Sequence, residues 1–382
     1  MPTAPCRTHH KTRNKREDIM KTKVILLGAG KIGDAILNLL SHSGDYRLTV
    51  ADRDRQRLAH VQAMRFPGVS AVQADIADGS AVASLVDGHE VVLSATPYFL
   101  TPLIAGAAKK AGAHYFDLTE DVQSTRIVKQ LAEDADTAFV PQCGLAPGFI
   151  SIVANDVAGR FDTLRDVTMR VGALPTFPSN ALKYNLTWST DGLINEYCNP
   201  CEAIVDGSLR EVSPLEEVEH FSLDGIDYEA FNTSGGLGTL CESLAGRVRN
   251  LNYKTVRYPG HRDIVKVLVR DLQLGLLERR PILKEVLETA IPITRQDVVL
   301  VFASVCGMRE GRLEQETYAK KIYSQQVNGH LLSAIQITTA AGICTMLDLV
   351  MQGRLPRRGL IRQEQARLQD FLDNRFGRFY AA

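Results

Sequence analysis

Neither sign of charge prevails in this sequence. Forty-four Lys and Arg stand against 44 Asp and Glu, so the formal net charge at pH 7 is zero. No basic stripe interleaves with aromatic residues, which argues against nucleic acid as a partner. Cysteine is sparse: seven in 382 residues, an odd number, widely scattered. That usage fits a reducing, cytoplasmic setting better than a disulfide framework. Cys198 and Cys201 form one C-x-x-C, but no second pair completes a zinc site. Two unreactive cysteines are expected there, and no metal. Long apolar runs are also missing. Positions 331–347 carry no charge, yet Ser333, Gln336, Thr338 and Thr339 interrupt them and Asp348 follows. This reads as a buried helix, not a membrane span. Residues 1–20 are polar and basic, with no apolar centre for a secretory signal, and are expected to be a disordered leader. No internal repeat is evident.

What the chain does have is a glycine-rich turn. Val24 to Leu27 form a short apolar run, suited to a strand buried on both faces of a parallel sheet. Gly28, Gly30 and Gly33 follow at G-x-G-x-x-G spacing, with Lys31 and Ile32 between the last two. Gly28 permits the tight turn, Gly30 lets a pyrophosphate approach bare backbone, and Gly33 lets the following helix pack on the strand. The phosphates would sit at that helix's N-terminus. A second strand-like run ends in Asp52, nineteen residues after Gly33. There a carboxylate can accept hydrogen bonds from an adenosine ribose. A glycine-rich turn beside a solvated Asp is the alternative. Asp52 favours NAD, because a 2′-phosphate would meet a like charge; Arg53 leaves NADP possible.

Strand and helix then alternate over about 120 residues. Helices are expected at 54–66, 80–85, 101–111 and 124–134, with strands at 69–74, 90–95, 114–118 and 138–141. Asp75, at the end of one strand, is a candidate near the adenine. Ala95, Thr96 and Pro97 close another, where a nicotinamide would lie. This is the signature of a doubly wound α/β sheet of Rossmann type. After residue 148 the style changes. Around 164–174 the apolar period becomes two, an Asp-Gly turn at 206–207 suggests a hairpin, and further strands are expected at 298–306 and 317–324. An amphipathic helix is expected at 262–277. The second domain is therefore α+β with a mainly antiparallel sheet. The expected division is 21–145 for the dinucleotide, 146–329 for substrate and dimerisation, and 330–382 for helices returning to the first domain.

Three polar stretches of the second domain hold candidate chemistry. Arg257 offers a planar fork for a carboxylate, and Thr233 and Ser234 could donate to the same group. Asp117, Glu120 and Asp121 follow the fifth strand on the crevice side, as receivers of an ammonium or as base. Each has a plainer reading: a surface ion pair for the arginine, a helix start capped by an acid for the trio.

Beyond the generic G-A-G-x-x-G, several motifs are more specific. They are G-L-A-P-G at Gly144 to Gly148, which includes Leu145, and L-K-Y-N at Leu182 to Asn185. E-A-F-N-T-S-G-G at Glu229 to Gly236 and Y-K-T-V-R-Y-P-G-H at Tyr253 to His261 complete the set. With these, residues 22–360 resemble the saccharopine dehydrogenase superfamily, and most closely its L-lysine 6-dehydrogenase branch. The resemblance implies NAD-dependent oxidative deamination of the lysine side-chain amine. The products would be ammonia and 2-aminoadipate 6-semialdehyde, which cyclises to a piperideine carboxylate. It also implies a homodimer or higher symmetric oligomer. Saccharopine-handling relatives usually carry a further Arg near Thr233, which is absent here. On this resemblance Glu120, Asp121 and His261 are the catalytic candidates. Tyr98, Lys183, Tyr184, Thr233, Ser234 and Arg257 are the substrate-binding ones. The alternatives are a reductase joining an amine to an aldehyde, as with saccharopine or carboxynorspermidine, and a non-catalytic dinucleotide-binding sensor.

Overall fold

A computed structural model describes residues 21–381; the expected leader at 1–20 lies outside the described residues. The apolar run after Lys23 becomes strand β1 (Thr22–Leu27), whose last four side chains are wholly buried. Around it lie β2 (Tyr46–Asp52), β3 (Val69–Gln73), β4 (Val91–Ser94), β5 (His114–Asp117) and β6 (Ala138–Val140). The order β6-β5-β4-β1-β2-β3 is parallel throughout. Chain direction across the sheet therefore reverses between β1 and β4. A crevice opens at such a switch point, outside the carboxyl ends of the strands.

The second sheet is built mainly from β7 (Thr163–Pro175), the hairpin β8 (Cys201–Val205) and β9 (Ser208–Val212), and β10 (Glu219–Leu223). To these are added β11 (Ile226–Asn232), β12 (Asn250–Arg257), β13 (Asp297–Arg309) and β14 (Arg312–Tyr323). Its main path runs β10-β11-β12-β7-β13-β14. All pairings are antiparallel except β12 with β7, so the sheet is mixed but mainly antiparallel. The hairpin turns at Asp206 and Gly207, both with positive φ, as a two-residue primed turn requires. A small hairpin, β15 (Gln325–Val327) with β16 (His330–Leu332), follows.

The expected amphipathic helix at 262–277 is much shorter. It runs His261–Lys266, passes into a π-helical turn over Val267–Asp271 and stops. A separate helix, Arg280–Ala290, begins with Pro at its first turn. The apolar segment near the C-terminus forms helix Ala334–Met351. Ser333 and Gln336 close a capping box on it, and both oxygens of Asp297 take its first free N–H groups. The helix is long and apolar enough to cross a membrane by composition, but 83% of it is buried inside the fold. It packs on helix Lys31–Ser43 and on β13. The chain then adds β17 (Gly359–Leu360) parallel to β6, a seventh strand that the sequence did not announce.

Candidate active site

Each glycine of the first turn has the expected surroundings. Gly28 has φ +102°, and a Cβ there would lie 2.6 Å from the Ala95 carbonyl oxygen after β4. A Cβ on Gly33 would lie 2.2 Å from the Gly28 oxygen, so helix and strand meet backbone to backbone. Around Gly30, by contrast, nothing lies within 4 Å of the added carbon. Gly30 is also the N-cap of helix Lys31–Ser43 and makes no side-chain cap, so the helix's first N–H groups remain available to an anion. Asp52 Oδ2 accepts from Ala29 N–H at 2.7 Å, which fixes the carboxylate beside the turn. Open space at Gly30 and an anchored carboxylate are what a dinucleotide needs. Arg53 and Asp75 are exposed at the ends of β2 and β3; Asp75 caps its own turn through Ala77 N–H. Lys31 is half-buried, and burial lowers its pKa.

A cleft opens beside this turn. Ile32, Ala95, Thr96, Pro97, Tyr98 and Leu145 line one side. Glu120 reaches in from the loop after β5, and Val171, Tyr253, Thr255 and Arg257 from the second sheet. Ala146 and Pro147, joined by a cis peptide bond, belong to the same wall. Arg257 is the one cation among the lining residues. Its Nε donates to Tyr197 Oη at 3.0 Å and its Nη1 to the Val256 carbonyl at 2.9 Å, and among the described residues Nη2 has no acceptor. Tyr184 is buried and lies under the guanidinium, 5.0 Å from ring centre to Cζ.

Two carboxyls line the cleft as well. The Glu120 carboxyl is pushed up to about 7, chiefly by burial and further by the charges of Asp121, Asp117 and Asp191. Its buried Oε1 has no hydrogen-bond partner. Glu196, from helix Thr190–Cys198, lies well above the ordinary carboxylate range, first through burial and then through the charge of Glu120. Sequence reasoning did not name Glu196; Trp188, Tyr253 and Thr255, which also line the cleft, lie within the polar stretches it marked but were not individual candidates.

The other expected residues lie elsewhere. Asp121 caps helix Val122–Ala132 through Ser124 N–H and accepts from Asn195. His261 is buried between Tyr197 Oη and the Leu182 carbonyl, and burial with the nearby Arg257 charge lowers its pKa to about 3. Lys183 is exposed and donates to the Pro259 carbonyl. Ser234 Oγ donates to the Pro200 carbonyl. Thr233 is buried beside a second, smaller cavity. Cys198 and Cys201 are free thiols with pKa values raised by burial, and no group of metal-ligating side chains occurs among the described residues.

Residues 24–140 match the saccharopine dehydrogenase NADP binding domain, and residues 144–377 match the saccharopine dehydrogenase C-terminal domain. The chain belongs to the saccharopine dehydrogenase family. Among relatives, the Saccharomyces cerevisiae saccharopine dehydrogenase [NADP(+), L-glutamate-forming] is 26% identical over 278 residues, covering 68% of this chain and 59% of that protein. The corresponding Pyricularia oryzae enzyme is 26% identical over 301 residues, 75% of this chain and 64% of the other. The mouse mitochondrial alpha-aminoadipic semialdehyde synthase is 23% identical over 298 residues, 70% of this chain but 30% of that protein. The chain thus spans between 30% and 64% of the length of these relatives. The fold matches apo yeast saccharopine dehydrogenase (L-Glu forming) with TM-score 0.73 at 19% identity, over 92% of this chain and 97% of that one. The family assignment agrees with the Rossmann-type first sheet, the mainly antiparallel second sheet and a dinucleotide of the NAD(P) class.

Proposed function

We propose that this chain oxidises the side-chain amine of lysine with NAD as acceptor. The observation that supports it is the charge inventory of the cleft: one guanidinium, Arg257, and two carboxyls, Glu120 and Glu196. Free lysine is the mirror of that set, with one carboxylate and two amines. Arg257 grips the carboxylate through its free Nη2. Glu196 receives one ammonium and Glu120 the other. The reacting amine, with an ordinary pKa of about 10.4, must lose a proton before its carbon is oxidised. A carboxyl held near 7 suits that transfer at neutral pH. The Gly28–Gly33 turn and Asp52 would hold the dinucleotide, with Ala95, Thr96, Pro97 and Leu145 lining the place for its nicotinamide, and that group would supply the hydride acceptor. Water then replaces nitrogen on the substrate carbon, releasing ammonia and the aldehyde. Asp52 supports NAD, while Arg53 keeps NADP accessible.

A second reading comes from the relatives named saccharopine dehydrogenase. Saccharopine carries two further, glutamate-derived carboxyl groups, and a lone lining cation leaves them unpaired beside two acids, a costly arrangement in a partly buried site. The test is direct. Lysine and NAD alone should give NADH with release of ammonia. NADH formation from saccharopine, with none from lysine, would replace this reading by the second.

A further inference from the structure

A second cavity lies behind the cleft, and the two share a wall. Val122, Thr125, Gln142, Thr233, Leu237 and Tyr253 are among its lining residues; Tyr253 lines the cleft as well. Its outer rim is charged and tied by two ion pairs, Arg126–Glu202 and Lys129–Glu242, with the Arg126 and Glu242 side chains about half exposed. Its inner end carries the Thr233 hydroxyl. Thr233 is 2% exposed, and its Oγ1 has no hydrogen-bond partner. An unpaired buried hydroxyl costs free energy unless a small polar molecule sits against it. The wall between the cavities is thin. A Cβ on Gly235 would stand 2.2 Å from the Glu120 carbonyl oxygen, and one on Gly236 would stand 2.2 Å from the Tyr253 ring. Side chains at these two positions would displace Glu120 or the tyrosine.

We propose that this cavity is a rear port through which water enters the site and ammonia leaves it. The idea rests on the deamination reading above. In that reaction water oxygen adds to the substrate imine carbon and one water proton goes to nitrogen; the carbon–nitrogen bond then breaks as the remaining hydroxyl proton also passes to nitrogen, which leaves as ammonia. No electrons are exchanged in this half. The front of the cleft is then filled by dinucleotide and amino acid, so small molecules need another route. The polar rim admits them, Thr233 offers a donor and an acceptor on the way, and the Tyr253 ring separates the port from Glu120's side of the cleft.

The test replaces Thr233 by Val, of equal shape without the hydroxyl, and by Ser, which restores it. With Thr233→Val, the first turnover of NADH from lysine should keep its wild-type rate. Steady-state turnover should fall about tenfold as release becomes limiting, and the ammonia KM of the reverse reaction should rise by a similar factor. Thr233→Ser should return both to near wild type. Equal losses in first and later turnovers, or no loss, would overturn the port. A crystal structure at high resolution gives a reading independent of turnover: an ordered water on Thr233 Oγ1 is expected, and a dry cavity overturns the proposal. Failure of the wild type to oxidise lysine, with that water present, would count against the deamination reading alone.

Discussion

Glu120 and His261 show how one physical cause, burial, gives opposite pH behaviour. The Glu120 carboxyl moves up from 4.5 to about 7, so the folded chain holds its proton more tightly than the unfolded chain. Its contribution to stability is complete below pH 4.5 and is lost as pH rises through about 7. Glu120→Gln should therefore be more stable than wild type at pH 8, by of order 2–3 kcal/mol in urea melts, with little difference at pH 4. The same change should lower lysine oxidation 10²–10⁴-fold, in the range of a lost general base, and remove the rise in rate through about pH 7. His261 works in the other sense. Its folded pKa of about 3 lies below the ordinary 6.5, so it contributes stability above 6.5 that drains away as pH falls. The role of catalytic base is remote from a ring already held by Tyr197 and Leu182. Glu120 and Arg257 were legible because an acidic run after a strand and a motif-borne arginine stand out in the sequence. Glu196 was not. It occupies an ordinary position in a short helix, and the charges that act on it, Glu120 and Arg257, come from distant parts of the chain.

At the scale of elements, the glycine turn separates folding from binding. Gly33→Ala forces a carbon against the Gly28 carbonyl, which is backbone and cannot swing aside. It should cost about 1–3 kcal/mol of stability, the usual range for overpacking, and dinucleotide binding with it. Gly30→Ala meets no protein atom. Stability should change by less than about 1 kcal/mol, while NADH affinity, read by fluorescence titration, should fall tenfold or more because the methyl takes the space of a phosphate. Equal losses of stability in the two variants would refute this division. The turn was readable because its spacing is tied to one local geometry. The segment at 262–277 was not. Its apolar period continues past Lys266, but the backbone widens into a π turn and ends at Gln273 with φ +56°. Leu272 and Leu276 are left about half exposed. Period alone carries no information about where packing stops. β17 escaped notice for a related reason: two residues show no pattern, and their pairing depends wholly on β6 being there.

For the whole molecule, the decisive contact joins the last thirty residues to the first sheet. Asp348, 1% exposed on helix Ala334–Met351, accepts from Tyr46 Oη at 2.7 Å, at the start of β2. It also accepts from Asn374 Nδ2 at 2.8 Å and from Arg375 Nη2 at 2.7 Å, while Arg375 Nη1 reaches Asp45 at 2.5 Å. One buried carboxylate thus ties the dinucleotide sheet, the central helix and the chain end. Around it runs a single apolar core that includes β1, helix Phe149–Ala158, β13 and the central helix. The two sheets should consequently unfold in one transition and not in two. Asp348→Ala leaves the Arg375 guanidinium and the Tyr46 hydroxyl without their shared partner. Arg375 is about a third exposed and keeps Asp45, so the cost should be about 2–3 kcal/mol, more than one neutral hydrogen bond but less than a fully buried pair. Tyr46→Phe removes one hydrogen bond and should cost about 1 kcal/mol. Calorimetry should show a single peak for both variants, displaced further for Asp348→Ala. Two resolved peaks in the wild type would mean that the cleft is held by two independently folding halves, and the coupling between cofactor turn and Arg257 would then need another source.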